Sequence, residues 1–385
     1  MIYVLTFIVS VVCCYFSERK FRDGKKTFGV LFATIAIMLP AVVAGLRTTE
    51  VGTDVQFYLI RDHQAALSSM DFSGYLDVAY GDPLFIGIVY AISNIFGDIN
   101  VLMFFLSLIT VGVMYFGCTK FKNKAPAYLM FGFFLFVYFN MSLNLIRQSI
   151  ALSFSFLALS YLFDKKWIKY LVLVAIATLF HMTAIVMLGV LVIYILIPRI
   201  KNKIALYLAS AAGVGILVLS FGLMLKGLVD VGILGEKYMY YTESGNVDVS
   251  LAYIGFSLAA LIAAVIRRKN ILKNKEGNFL LYVSFLNVLL LGLSLRYNTA
   301  ERLTYYLGYA NVIIVPMIAM SLMQNNRIRK DNLVIDKKAF LILFLYFGGL
   351  TAYHLIYYNV LNNHRTYPYR TVIATQNNKG ITHHA

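Results

Sequence analysis

One arginine in this chain sits where a cation costs free energy. Arg147 lies within Asn144-Leu145-Ile146-Arg147-Gln148-Ser149-Ile150-Ala151, which joins two apolar runs, 125–139 and 149–163, with no acid beside it. A lone cation costs about 2.5–3.5 kcal/mol at the centre of a membrane helix and less near the interface. That cost points to an anion site at a membrane surface, with Arg147 on the anion and the amides of Asn144 and Gln148 orienting it. The plainer reading is an arginine that anchors a helix end by snorkelling.

Three other stretches carry candidate chemistry. Gly45-Leu46-Arg47 is followed by Val51-Gly52-Thr53-Asp54 and Tyr58. Asp54 could accept a sugar hydroxyl or act as a base; Thr53 or Asp54 could equally cap the helix that starts there. His181, in Leu179-Phe180-His181-Met182-Thr183, places a titratable imidazole in an apolar run. It suits proton transfer from a hydroxyl, or a neutral hydrogen bond between helices. Arg296, Glu301 and Arg302 form the densest polar cluster at any outer turn. Glu301 could serve as a base or simply pair with an arginine in solvent. The tyrosines at 238, 240, 241, 305 and 306 could stack on sugars or form an interfacial belt.

The elements that must position these residues are membrane helices. The chain is 60% hydrophobic and 14% charged, against about 25% charged in ordinary soluble domains. Apolar stretches of roughly 17–25 residues recur along it. The expected fold is all-α: a polytopic integral membrane protein of about 11–13 transmembrane helices, in one membrane domain over 1–385. Six loops, 18–27, 119–124, 164–169, 199–203, 267–277 and 324–338, hold 24 of the 34 Lys and Arg and six of the 18 acids. That asymmetry is the positive-inside signal, so these loops are read as cytoplasmic. It also accounts for the net charge of +16 without a nucleic-acid partner.

Segments 47–82 and 225–250 and a polar tail, 358–385, are then exterior. Run 83–96 is too short for a full span and is read as a re-entrant half-helix. A rival arrangement lets it cross and puts loops 119–124 and 164–169 outside. On the preferred arrangement Arg47, Arg147, His181, Arg296 and Arg302 all fall at outer span ends, where they could converge on a phosphate or pyrophosphate. Residues 1–17 read as a retained first span. Cys13, Cys14 and Cys118 have no metal or disulfide spacing. No Walker loop, nucleotide-binding glycine fingerprint, HExxH, GxSxG or DxD pattern occurs. No cofactor and no metal is expected.

These motifs resemble the EpsG/Wzy group of bacterial polysaccharide polymerases. The resemblance rests on Gly45-Leu46-Arg47 with Val51-Gly52-Thr53-Asp54 and Tyr58, on Asn144–Ala151, and on Ala177–Ala184 around His181. It covers about residues 40–200, with the C-terminal half matching mainly in hydropathy. It implies a GT-C-like glycosyltransferase of the bacterial plasma membrane. Such an enzyme moves a growing glycan from an undecaprenyl-pyrophosphate carrier onto a lipid-linked repeat unit at the outer face. Substrate binding would fall to Arg47, Arg147, Gln148, Asn144, Tyr58, Arg296 and Arg302. His181, Asp54 or Glu301 would handle the hydroxyl proton. Implied partners are the lipid-linked oligosaccharide, the bilayer, and a chain-length regulator and flippase of the same pathway. A ligase-type glycan transferase and a lipid-linked sugar flippase are the alternatives.

Overall fold

The computed structural model describes residues 1–79, 81–232, 251–271, 275–295, 301–323 and 337–373. Among them the fold is helical throughout, and the only strand-like feature is an isolated bridge between Arg47 and Thr371. Among the described residues six helices are long and apolar enough to cross a membrane. They are Ile2–Arg22, Lys26–Gly45, Ile99–Lys120, Ile146–Phe163, Met182–Arg199 and Lys337–Val360. A pair bent by 41°, Glu301–Gly308 with Asn311–Met323, makes a seventh, and five further apolar helices are 10–17 residues long. Contacts group the chain into two compact units, 1–185 with 322–385, and 186–321.

The first unit begins with α1 (Ile2–Arg22) and α2 (Lys26–Gly45). The segment 47–82 then contains a π-helical turn, Val55–Leu59, and two short helices, α3 (Ile60–Ser68) and α4 (Phe72–Val78). Next come α5 (Pro83–Phe96), α6 (Ile99–Lys120), α7 (Ala127–Val137), α8 (Phe139–Ser142), α9 (Ile146–Phe163) and α10 (Trp167–Phe180). Ten of the eleven residues of α7 are buried. It is apolar all round because it is the core, packed on α1 and α6. On α9 the small residues Ala151, Ser155 and Ala158 are buried, and the helix packs against α6 and α10. Small side chains at these spacings allow close helix approach.

The basic turns between these helices gather at one end. The Ser17 hydroxyl donates to the Gly29 carbonyl at 2.8 Å and accepts from the Tyr115 hydroxyl at 2.9 Å. Phe121 and Phe163 meet edge to face at 5.6 Å. Loops 18–27, 119–124 and 164–169 therefore share one side of this unit, unlike the rival arrangement.

At the opposite end lie the first residues of α6 and α9 and the last of α2 and α10. Helix α5 has both of its ends there. Asp82, just before it, meets His181 and Met182. Asn100, just after it, donates to the carbonyls of Gly45 and Arg47 at 2.6 and 2.8 Å. Proline at its first position and left-handed Gly97 after its last define the helix chemically. Its 14 residues reach about 21 Å, short of a bilayer core.

The second unit holds α11 (Val186–Leu196), α12 (Lys203–Asp230), α13 (Leu251–Ile266), α14 (Arg268–Ile271), α15 (Lys275–Ser294), α16 (Glu301–Gly308) and most of α17 (Asn311–Met323). The chain then rejoins the first unit through α18 (Lys337–His354), which packs on α7. A π-helical turn, Leu355–Val360, follows. The polar segment after it does not trail away. Residues 361–373 fold back as a strap over the non-basic end of the first unit. Backbone bonds run from Thr48 N to Arg370 O, from Gly52 N to Arg365 O, and from Val372 N to Leu46 O. Tyr3 donates to Thr366 O, Asn140 donates to the Thr366 hydroxyl, and Arg370 pairs with Glu50 at 2.6 Å. Residues 374–385 lie outside the described residues.

Candidate functional site

Arg147 is the second residue of α9, where the helix dipole disfavours a cation. Asp82, Tyr58 and Phe85 make the position tolerable. Asp82 Oδ2 lies 4.0 Å from Nη1. The rings of Tyr58 and Phe85 lie 5.9 and 5.7 Å from the guanidinium carbon, within cation–π range. Gly81 backs the group: a Cβ there would stand 3.1 Å from Nη1. The Arg147 side chain keeps 24% of its surface exposed, so a ligand can reach it.

Asp82 links Arg147 to His181. Its Oδ2 is 3.4 Å from His181 Nδ1, and its Oδ1 accepts from the Met182 backbone N–H at 3.1 Å. His181 ends α10 with extended backbone (φ −160°, ψ 115°). The helix breaks there because its next backbone donor turns to Asp82. With Nδ1 facing a carboxylate, Nε2 is the nitrogen left for a substrate. Asp62 completes the acidic side. It is buried and held by Arg61 at 3.0 Å. Burial pushes its carboxyl above the usual carboxylate range, while Arg61 and Arg147 pull it down. Nearby His63 bonds Ser93 at 2.8 Å, and burial lowers its imidazole.

Asn144 ties three segments of the protein together. Its carbonyl oxygen accepts from the Thr53 hydroxyl at 2.8 Å and the Asp54 backbone N–H at 2.9 Å. The turn that begins at Thr53 is thus capped from another segment, and Asp54 makes no side-chain capping bond. Asn144 also meets His364 of the strap at 3.4 Å. Gly52 makes this approach possible: its φ is +91°, and a Cβ would lie 2.9 Å from the Leu143 carbonyl oxygen. The π-helical turn after Asp54 carries Tyr58 to Arg147; such turns recur at functional sites. Gln148 is buried on α9.

Arg47 has a different setting. It is 2% exposed, and its Nε and Nη1 have no hydrogen-bond partner among the described residues. Burial pulls its guanidinium down to about 10, against the opposing pull of Tyr3 and Tyr369. It lines a cavity of about 10 Å³ with Ser107, Thr110 and Ser142, room for about one water molecule. No phosphate fits in that space. The backbone of Arg47, not its side chain, joins the strap.

Glu301 and Arg302 begin α16 in the second unit, where Glu301 pairs with the Tyr305 hydroxyl. Arg296 lies outside the described residues. Among the described residues no three His, Cys, Asp or Glu side chains group as metal ligands. Asp82 carries no sequence signal for this role: an acid before a proline at a helix start has the pattern of an N-cap. Asp82 makes no capping bond and faces the histidine instead.

The cluster can hold an anion on Arg147 and accept a proton at His181. No curated protein and no solved structure matches the chain. The EpsG family model matches residues 30–371. A match of that extent, on a multi-pass helical membrane protein, means that the chain belongs to the EpsG family, which suggests a polysaccharide polymerase-type glycosyl transfer.

Proposed function

We propose that the protein polymerises a bacterial surface polysaccharide from lipid-pyrophosphate-linked units at the outer face of the plasma membrane. The observation that carries this reading is the Arg147–Asp82–His181 cluster at the bundle end opposite the basic turns. The acceptor is a sugar hydroxyl of a new lipid-linked repeat unit. The donor is the growing glycan on undecaprenyl pyrophosphate.

His181, oriented through Nδ1 by Asp82, takes the hydroxyl proton at Nε2. The oxygen attacks the donor's anomeric carbon as the bond from that carbon to the pyrophosphate oxygen breaks. Arg147 and the N-terminus of α9 hold the charge that develops on the leaving group. The glycan moves to the acceptor, and the free lipid pyrophosphate departs. Tyr58 and Phe85 keep the guanidinium aimed. Segment 47–82 and the strap form the walls against which the glycan lies. Of the three candidate bases, His181 is favoured because Asp82 stands behind its Nδ1 and the same carboxylate faces Arg147.

Arg147→Ala should leave the protein folded in the membrane and abolish polymer, with single repeat units accumulating on their carrier. Arg147→Lys should also fail, since a point charge lacks the planar fork. Long-chain polysaccharide from a folded Arg147→Ala variant would refute this role. Loss of all exported units on gene deletion would indicate a flippase instead.

A further inference from the structure

The second unit contains a cavity of about 430 Å³ among α12, α13 and α15, within the roughly 300–1,000 Å³ typical of small-molecule sites. Its walls include Tyr207, Leu261, Leu281 and Phe285, and two cations, Lys203 and Arg268, stand among the lining residues with no acid. Tyr207 packs edge-on against Phe285 at 4.7 Å, so the aromatic wall is built rather than incidental. Lys203 spends one donor on the Ile197 carbonyl, leaving two of its three N–H bonds for a ligand. Arg268 is exposed.

The shape of the chemistry selects the occupant. A soluble anion would not use apolar walls, and a neutral hydrocarbon would not use two cations. Ile204, which also lines the cavity, and Leu208, one turn on, are 74% and 66% exposed. The mouth therefore opens on an apolar surface suited to lipid. Lys203 starts α12, Arg268 follows α13, and Lys275 starts α15. All three belong to the basic end of this unit. The candidate residues Glu301 and Arg302 follow the far end of α15, whose 20 residues span about 30 Å.

We propose that this cavity binds one anionic phospholipid from the leaflet on the basic side. Lys203 and Arg268 hold its phosphate, and one acyl chain lies between Tyr207, Leu261, Leu281 and Phe285. The site shares no residue with the reaction cluster and does not depend on the polymerase reading.

Native mass spectrometry of the purified full-length protein tests it, with phosphatidylglycerol and phosphatidylcholine of matched acyl chains as probes. One phosphatidylglycerol should be retained per chain in preference to phosphatidylcholine. Lys203→Gln with Arg268→Gln should weaken that retention by at least about tenfold. A diazirine-acyl phosphatidylglycerol should crosslink the wild-type protein at α12, α13 and α15, a readout that does not depend on how the variant folds. Equal retention of the two lipids, unchanged retention in the double variant, or crosslinks confined to other helices would overturn the proposal. So would displacement of phosphatidylglycerol by an equimolar polyprenyl phosphate, which would make the cavity a carrier-lipid site.

Discussion

Replacing Asp82 with asparagine changes one atom and should stop catalysis while sparing the fold. Asparagine keeps an oxygen to accept from Met182 N–H, now at 3.1 Å. Where Oδ2 stood, 3.4 Å from His181 Nδ1, it places an N–H donor. Nδ1 must then accept, so the ring proton moves to Nε2, and Nε2 can no longer take a proton from the acceptor hydroxyl. Losing a positioned general base costs about 10²–10⁴-fold in rate, or roughly 3–5 kcal/mol of barrier.

The same change removes the pairing with Arg147. Two unit charges 4.0 Å apart attract by about 4 kcal/mol at an effective dielectric of 20. These side chains are 24% and 17% exposed, so solvent screening leaves about 1 kcal/mol or less for stability. Activity should therefore fall far more than the melting temperature. The assay is polymerisation of a lipid-linked repeat unit by purified protein, read as rate and ladder length, with thermal unfolding in parallel. A folded Asp82→Asn variant within about threefold of the wild-type rate, under 1 kcal/mol of barrier, would refute the assignment of His181 as base.

Three further outcomes follow from the same geometry. Gly52→Ala forces a side chain into φ +91° and against the Leu143 carbonyl; it should cost about 1–3 kcal/mol, and an unchanged melting temperature would show that the turn relaxes freely. Arg47→Met removes a buried cation with two unpartnered donors and should raise the melting temperature, the gain being about 1 kcal/mol or more; a fall would mean that the cation holds its surroundings together. Burial raises the Asp62 carboxyl, so its ionised form costs folding energy at neutral pH, and that cost vanishes below the ordinary aspartate value of about 3.9. Asp62→Asn should thus be more stable than wild type near neutrality, with the gap closing as pH falls through the carboxylate range. Unfolding curves at several pH values check this, and a pH-independent difference would count against it.

Residue types and their order were enough to determine the class of this protein. Long apolar runs with one-sided basic loops dictate membrane helices, because hydrocarbon excludes unpaired backbone and charge. The extent of α5 was legible as the short run 83–96, since helix starts and stops are local chemistry. The prominence of Arg147 and His181 was legible too, because a polar group in an apolar run stands out within its own segment.

Pairing was not legible, because it joins residues far apart in the chain. Asp82 meets His181 across 99 positions, and Asn144 caps Thr53 across 91. The strap was least visible of all. Its residues look like a polar tail, yet its backbone donors and acceptors are satisfied by Leu46, Thr48 and Gly52. Arg47 reads in sequence as a ligand-binding cation beside Arg147. The tertiary packing of α6 instead buries it in a space for about one water, because burial is decided by neighbours that the local sequence does not contain.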